Sequence, residues 1–304
     1  MVQIVRVSPD EFDWSSKDGP AAEVRRIALA STAHDGAITL NEQAVLQLKN
    51  RGLRDADLWL GGGGFALRHS EVLDLAVHPE SRRQGVGTAL ALEAVPRGRH
   101  VDAWSHSDHP GAARLAELFG VPRERELVIM RRPLSDLEPV QVPHGVEVRS
   151  FQPGDEQALL DVNASAFAHH PEQGHMTLED FRERTSESWF DPAGLFLAVP
   201  AEGAQNSDLP PLLGFHWTKV HRDEDPPYGE VYVVAVNPKA AGRGLGTVLT
   251  GAGLQHLKDQ GLDSVLLYVD GDNDPAIAVY TGLGFEVQRT EVQYRGISSG
   301  LNRS

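Results

Sequence analysis

One pattern of apolar and polar positions occurs twice in the chain, and it predicts a strand, a glycine-rich turn and a helix. The first copy starts with the apolar, β-branched run 71–79, and the second starts with the run 230–238. Each run ends at a proline, a turn with two glycines follows, and helix-periodic apolar positions come next. The two copies align without a gap, which predicts an internal repeat and therefore two related domains.

The segments behind the two copies follow one another in the same order. Behind both helices the pattern predicts a strand, a helix and a closing strand: 101–104, 110–119 and 126–130 in the first half, 264–269, 275–283 and 285–294 in the second. Alternation of strands and helices of this kind predicts the α/β class, with an α+β mixed sheet in each half.

The boundary between the domains is predicted in segment 133–143, which is rich in proline and acidic residues and has no periodicity. We place the boundary near Pro139, so that the first domain is 1–139 and the second is 140–304. A chain of 304 residues is long enough for two hydrophobic cores of ordinary size.

Composition and charge narrow the class of protein. With 40% hydrophobic and 23% charged residues the chain is typical of globular proteins, and no apolar run reaches the length of a membrane span. The N-terminus lacks the features of an export signal, so a cytoplasmic location away from membranes is expected. A monomer is expected as well. A net charge of −15 disfavours binding to nucleic acid and suits a neutral or cationic acceptor. The absence of cysteine excludes disulfides and thiolate chemistry within the chain.

The two glycine turns carry the candidate chemistry, because backbone N–H groups at the start of a helix bind phosphate and glycine lets the ligand approach. Dinucleotide binding is a weak alternative, since the turns follow internal strands and no acidic residue stands at the expected distance. A nucleoside-triphosphate loop would need Lys-Ser/Thr after its last glycine, which neither copy has. Glycines that serve only tight turns remain a further interpretation, which the repeat disfavours. Two phosphate-containing ligands are therefore predicted.

With these motifs the chain resembles the GCN5-related N-acetyltransferase superfamily, whose signature after a strand is Gln/Arg-x-x-Gly-x-Gly/Ala. Segment 82–87 fits this signature, whereas the second copy has Ala241 at the first position. The second half also shares the superfamily pattern of Asn273, Tyr280 and the Leu-Gly-Phe segment 283–285. The resemblance implies two tandem acetyltransferase domains, with acetyl-CoA as the co-substrate.

The resemblance further implies which residues hold acetyl-CoA. In the first domain they are Leu75, Ala76, Val77, Arg83, Gln84, Gly85, Val86, Gly87 and Thr88. In the second domain they are Val234, Ala235, Val236, Ala241, Gly242, Arg243, Gly244, Leu245, Gly246, Thr247, Asn273, Asp274, Pro275, Ala276, Ile277 and Ala278.

Two residues of the second domain are the candidates for proton transfer. The resemblance implies that Tyr280 protonates the departing thiolate. An amine must lose a proton when it attacks, and Glu230, at the start of the strand that leads to the second turn, is the predicted base. Taken alone, the tyrosine could be a packing residue and the glutamate a surface residue. The first half has Leu115 at the tyrosine position, so the first domain is predicted to be non-catalytic, binding a CoA-type ligand or only stabilising the fold.

Segments 167–174, 213–221 and 229–234 resemble the tandem-domain members that acetylate the cysteinyl amine of cysteinyl-glucosaminyl-inositol, the last step of mycothiol biosynthesis. This resemblance implies acceptor contacts from Glu42, Glu172, Lys219, Glu230 and Tyr268. An acceptor rich in hydroxyl groups suits such polar side chains. The alternatives are an N-acetyltransferase for an aminoglycoside, a polyamine or a protein N-terminus, and a CoA-binding regulatory protein without activity, which the presence of the tyrosine disfavours.

No metal site is predicted. His169, His170 and His175 lie close together in the sequence, but they do not form a helical His-x-x-x-His pair with a nearby acidic residue.

Overall fold

The computed structural model describes residues 2–69, 71–168, 173–202 and 209–301, apart from the side chains of Glu42 and Gln43. The chain forms two compact units, of which the first comprises Met1–Leu127 with Arg289–Ser304 and the second comprises Val128–Gln288. None of the helices in the described part of the chain is both long and apolar enough to span a membrane.

The first unit is a mixed sheet between two pairs of helices. Its strands are β1 (Val5–Arg6), β2 (Ala56–Gly61), β3 (Gly64–His69), β4 (Val72–Val77), β5 (His100–Ser105) and residues 289–297 of β12 (Glu286–Ile297). They lie in the order β1-β2-β3-β4-β5-β12, and only β4 and β5 are parallel. Its helices are α1 (Gly19–Asp35), α2 (Glu42–Arg51), α3 (Val86–Ala94) and α4 (Pro110–Phe119).

The first unit has a hydrophobic core on each side of its sheet, because apolar side chains of its strands point alternately to the two faces. Phe65 and Leu67 of β3 pack with α1 and α2, whereas Ala66 between them packs with α3. Successive side chains of a strand point to opposite faces, so a continuous apolar run such as β3 requires helices on both sides.

The second unit has the same plan. Its strands are residues 128–133 of β6 (Arg123–Pro133), β7 (Val146–Ser150), β8 (Leu195–Pro200), β9 (Gly214–His221), β10 (Tyr228–Val236) and β11 (Ser264–Asp270). They lie in the order β6-β11-β10-β9-β8-β7, with β10 and β11 parallel. Its helices α5 (Glu156–Ala166) and α6 (Leu178–Ser186) cover one face, and α7 (Leu245–Asp259) and α8 (Asp274–Gly282) cover the other.

Four elements predicted from the repeat are confirmed with shifts of at most one or two residues. These are the strands predicted at 101–104 and 264–269, which are β5 and β11, and the helices predicted at 110–119 and 275–283, which are α4 and α8.

The compact units differ from the predicted division near Pro139. The strand predicted to close the first domain contributes its residues from 128 onwards to the second unit, and the strand predicted to close the second contributes its residues from 289 onwards to the first. Val292 is buried in the first core and Met130 in the second. Apolar alternation shows which face of a strand is buried but not which sheet the strand joins, so the sequence assigned both strands to their neighbours in the chain.

A buried cation of β6 fixes the end of α8 in the second unit. The guanidinium of Arg132 donates to the carbonyl of Leu283, and over 2.9 Å each to the carbonyls of Pro133 and Asp136. Burial lowers the pKa of Arg132. Since Leu283 is the C-terminal cap of α8, the positive charge lies at the negative end of the helix dipole. This residue therefore anchors α8 at the end opposite its N-terminal cap.

Gly253 of α7 packs directly on the buried ring of His216. A Cβ at this position would overlap that ring and lie 2.8 Å from Cγ2 of Thr218. The imidazole cannot retreat, because its Nδ1 is held 2.8 Å from the carbonyl oxygen of Leu249. We expect Gly253→Ala to lower the free energy of unfolding by about 1–3 kcal/mol, measured by urea unfolding followed by circular dichroism.

Gly282→Ala is the matched control, since a Cβ at the end of α8 would meet nothing within 4 Å. We expect this variant to unfold at the same urea concentration as the parent or slightly above it. Equal losses in both variants would contradict the close packing of α7 on β9.

Candidate active site

In the second unit the parallel strands β10 and β11 are paired at one end only. The pairing starts at Gly229 and Val265 and, among the residues that the structure describes, it stops at Val231 and Leu267. Strand β10 runs on to Val236. Beyond the last pair the two strands are no longer paired with each other, and we call this unpaired end of the two strands the gap. Unpaired backbone N–H and C=O groups need a hydrogen-bond partner, so this gap can receive a ligand with amide-like groups.

A β-bulge on β10 lies at the start of this gap. The register between β10 and β9 shifts between Val231 and Val233, so Tyr232 is an extra residue on β10. In the first unit the equivalent strand β4 is paired with β3 from Val72 to Val77 without a shift. Bulges bend a strand and re-aim its groups, so the second unit has a local distortion at its gap that the first unit lacks.

Three of the residues predicted to contact the acceptor share one face of the sheet. Glu230 on β10 is directly paired with Lys219 on β9 and with Leu266 on β11. Tyr268 lies two residues beyond Leu266, so its side chain is on the same face, and it is 44% exposed. The structure therefore brings Glu230, Lys219 and Tyr268 together.

Glu230 is buried, and its partner is a histidine that the sequence analysis did not identify. Nε2 of His221 lies 2.6 Å from Oε2 of the carboxylate. An ionised carboxylate can only accept, so Nε2 is the donor. The imidazole stacks on Tyr228 with ring centroids 4.5 Å apart, and the guanidinium of Arg131 lies 5.1 Å from the Tyr228 centroid. The sequence could have indicated His221 through strand alternation, because a residue two positions after Lys219 lies on the same face of the sheet.

The ammonium group of Lys219 is held against two aromatic rings. Its Nζ lies 4.8 Å from the centroid of Trp189 and 5.5 Å from that of Tyr232. Both rings pack on the fully buried Trp217. Cations are attracted to the faces of aromatic rings, so this arrangement holds a positive charge beside β10, on the face that carries Glu230. Burial also raises the pKa of Tyr232.

Tyr280 lies on the opposite face of the sheet from Glu230. It packs in the cluster that contains Val231 and Leu267, the last paired residues before the gap, and its ring is 5.8 Å from that of Phe285. Burial raises the pKa of Tyr280 to about 12, so the phenol keeps its proton at neutral pH. The Glu230 carboxylate and the Tyr280 phenol therefore lie on opposite faces of the sheet, where the pairing of β10 and β11 ends.

The second glycine turn leads from β10 into α7. Gly242 and Gly244 have left-handed φ angles of 77° and 72°, and a Cβ at either position would meet nothing within 4 Å. The N–H of Val248 donates to the Gly244 carbonyl over 3.2 Å, which leaves the N–H groups of residues 245–247 without a partner inside the helix. These groups and the open space beside them fit a phosphate.

The other residues predicted to hold acetyl-CoA in this unit line the end of β10 and the start of α8. Val234 and Val236 are half-buried and Ala235 is buried at the end of β10. Asn273 is the N-terminal cap of α8, and its Oδ1 accepts from the N–H of Ala276 over 3.2 Å. The side-chain amide nitrogen, Nδ2, is the donor that Asn273 can offer to a ligand. The positions that follow it in the first turns of the helix are Asp274, Pro275, Ala276, Ile277 and Ala278.

In the first unit the equivalent gap is a cavity of about 670 Å³. Its walls contain every residue predicted to bind the ligand in the first domain except Gln84, whose amide donates to the Glu80 carbonyl over 3.1 Å. Leu115 also lines the cavity, at the position that holds tyrosine in the second half. Arg83 and Gly85 have left-handed φ angles of 61° and 82°. The first turn therefore has left-handed residues at the same two positions as the second turn, where they are Gly242 and Gly244.

The first turn is tied to α1 by an ion pair that its copy lacks. Arg82 donates to the two carboxylate oxygens of Asp35 over 2.7 Å each, and to the carbonyl of Val77 over 3.0 Å. The hydrogen bonds from Arg82 lower the pKa of the Asp35 carboxyl. Ala241 occupies the equivalent position in the second unit and has no polar side chain for such a contact.

Several residues predicted from the sequence lie outside the part of the chain that the structure describes. Glu172, His169 and His170 fall in the undescribed segment 169–172, and the side chain of Glu42 is likewise undescribed. Across residues 2–69, 71–168, 173–202 and 209–301, no three histidine, aspartate or glutamate side chains are gathered as metal ligands. The expectation that the protein needs no metal stays a prediction.

Comparison with known proteins identifies the family of the chain. Residues 50–121 and 158–285 match the model of the acetyltransferase (GNAT) family. The mycothiol acetyltransferase of Nocardioides sp. is 48% identical over 289 residues, which cover 90% of this chain and 97% of that protein. The mycothiol acetyltransferase of Catenulispora acidiphila is 45% identical over 309 residues, with coverage of 91% and 96%.

Solved structures share the fold. A GCN5-related N-acetyltransferase from Sphaerobacter thermophilus superposes with a TM-score of 0.66 at 22% identity, covering 97% of this chain and 95% of its own. A tandem GNAT protein from the clavulanic acid biosynthesis pathway has a TM-score of 0.58 at 18% identity, with coverage of 99% and 100%. With two matched stretches and relatives that align over nearly their whole length, the chain belongs to the acetyltransferase (GNAT) family.

Proposed function

We propose that the second unit transfers acetyl from acetyl-CoA to the cysteinyl amine of cysteinyl-glucosaminyl-inositol, which yields mycothiol. The observation that carries this proposal is that Glu230 and Tyr280 lie on opposite faces of the sheet, close to the point where the pairing of β10 and β11 ends. A thioester in the gap meets a base on its acceptor side and an acid on its thiol side. The identity of the acceptor is supported by the relatives named mycothiol acetyltransferases.

Acetyl-CoA is held mainly by backbone groups. The N–H groups of the turn 243–247 bind the pyrophosphate, where the free donors at the start of α7 meet open space. Backbone groups of Val234 and Val236 bind the pantetheine arm and the thioester carbonyl along the edge of β10. Donors fixed in this way need no reorganisation when negative charge develops on the carbonyl oxygen.

Acetyl transfer forms a nitrogen–carbon bond and breaks the carbon–sulfur bond of the thioester. Glu230 takes the proton that the attacking amine loses, directly or through one water. Tyr280 gives its proton to the departing thiolate sulfur. A pKa of about 12 keeps the phenol protonated for this role, and desolvation in the same gap raises the proton affinity of the thiolate. Exchange with solvent then returns the carboxylate and the phenol to their starting states.

The acceptor lies on the face that carries Glu230, Lys219 and Tyr268. Their carboxylate, ammonium and phenol groups suit an acceptor rich in hydroxyl groups. Glu172 and Glu42 are proposed as further contacts on the strength of the family resemblance alone. A cytoplasmic location and a monomeric state stay predictions of the sequence.

For the first domain we propose a non-catalytic role in which it binds acetyl-CoA or a related CoA ligand. It keeps the cavity of about 670 Å³ and the turn with two left-handed residues. It lacks a proton donor at Leu115, and β4 lacks the bulge that β10 has. These features support ligand binding without acetyl transfer.

The first test is to incubate the purified protein with acetyl-CoA and cysteinyl-glucosaminyl-inositol, and to follow thiol release against a control without acceptor. We expect acceptor-dependent release and a product with one acetyl group on the cysteinyl amine by mass spectrometry. Thiol release with an aminoglycoside, a polyamine or a peptide N-terminus instead would show that the proposed acceptor is wrong and that this other amine is acetylated. Binding of acetyl-CoA without release to any amine would favour a regulatory protein.

Tyr280→Phe is expected to lower kcat about 100-fold and to leave the Kd for acetyl-CoA within about twofold, because the proton is needed only as the thiolate leaves. Tyr268→Phe is the matched variant on the acceptor face, and we expect it to raise the KM for the acceptor while kcat changes little. Steady-state kinetics and calorimetry measure these values. A loss of acetyl-CoA affinity equal to the loss of kcat would refute the acid role of Tyr280.

Isothermal titration with acetyl-CoA is expected to show two sites per chain. Gly85→Val and Gly244→Val should each remove one site, because valine is strained at the left-handed φ angles of 82° and 72° and narrows the space for phosphate. Only Gly244→Val should abolish turnover. A single site in the parent that Gly244→Val removes would show that the first domain serves the fold alone.

A further inference from the structure

His221 has three properties that an ordinary surface histidine would not combine. Its Nε2 lies 2.6 Å from Oε2 of Glu230. Its side chain is 22% exposed, whereas that of Glu230 is only 11% exposed. Its ring is stacked on Tyr228, its direct partner across β9 and β10. The imidazole is thus fixed in orientation and is bonded to the carboxylate that the reaction uses as its base.

We propose that His221 is the positioning residue of the catalytic base, a role that rests on the proposed acetyl transfer. By donating to Oε2 of Glu230, it stops rotation of the carboxylate and leaves Oε1 as the oxygen that receives the amine proton. A base must be held within hydrogen-bond reach of the proton that it removes, and a glutamate side chain without such a contact has several rotamers.

Lys219, on the same strand as His221, could compete with the histidine for the carboxylate of Glu230. Lys219 is directly opposite Glu230, and directly opposed side chains have Cβ atoms about 5 Å apart. An ammonium–carboxylate pair there would neutralise the base. In the described structure the carboxylate is paired with His221 instead, and the ammonium lies over Trp189 and Tyr232. His221 therefore keeps the base and the acceptor-binding cation apart.

The ring of His221 is oriented from its other side as well. Tyr228 stacks on it at an interplanar angle of 23°, and Arg131 lies over the tyrosine ring. A cation over an aromatic ring is attracted to its face. This stack of guanidinium, phenol and imidazole restricts rotation of the histidine, so the N–H direction toward Glu230 is set by the sheet rather than by solvent.

The test compares two substitutions that separate the donor from the ring. His221→Phe keeps an aromatic ring for Tyr228 but removes the donor, and His221→Gln keeps an N–H near the position of Nε2 but removes the ring. We expect His221→Phe to lower kcat about 10- to 100-fold, a part of the usual contribution of a general base. It should also raise the KM for the acceptor, because the freed carboxylate attracts Lys219. His221→Gln should remain within about fivefold of the parent.

A double-mutant cycle with Glu230→Gln decides whether the effect passes through the base. In that background His221→Phe should lower kcat no further, because residues that act as a unit are not additive. The Kd for acetyl-CoA and the thermal midpoint are measured for every variant and should stay near those of the parent. His144→Phe, at an exposed histidine of the same unit, is the control and should have no effect.

Three results would overturn the inference while leaving acetyl transfer intact: unchanged kcat in His221→Phe, equal losses in His221→Phe and His221→Gln, or a full loss that persists in the Glu230→Gln background. An inactive parent protein with every amine acceptor would instead overturn the proposed function, and with it the role of His221. The two failures are thus distinguished by the activity of the parent alone.

Discussion

The separation of two parallel strands is the constraint on which the second unit depends. Where β10 and β11 part after Val231, backbone groups that a closed sheet would satisfy are left for water or a ligand. Strand β10 cannot simply move over to close the gap, because it is paired with β9 on both sides of the bulge at Tyr232. A ligand that brings donors and acceptors of its own can form hydrogen bonds with these backbone groups.

The two units share one architecture but differ in the side chains that surround it. Both have parting parallel strands and a turn with two left-handed residues that leads into a helix. They differ at individual side chains, of which leucine in place of tyrosine on the following helix is the most consequential. Leu115 and Tyr280 both pack against the hydrophobic core of their own unit, so packing is satisfied by either side chain. The fold is therefore compatible with either residue, and the presence of a phenol in the second unit is not required by packing.

Local sequence patterns were sufficient for the elements and turns, but not for long-range pairing. Strand β5, helix α4 and the glycine turns follow from periodicity and from residue types with strong backbone preferences. The family resemblance supplied Glu230, Lys219 and Tyr268, which the structure places on one face. His221 was missed because its partner lies on the next strand, and a contact of that kind depends on register, which a single sequence does not reveal.

The buried guanidinium of Arg132 has a consequence for how the chain can be divided. This residue comes before the proline-rich segment 133–143, yet its hydrogen bonds hold the end of the helix that carries Tyr280. A gene fragment that starts after this segment would encode the second glycine turn, Glu230 and Tyr280, but it would lack the strand that anchors the end of α8. The reverse fragment would lack the residues from 289 onwards that complete the first core. A cut at segment 133–143 would therefore remove a strand from each compact unit.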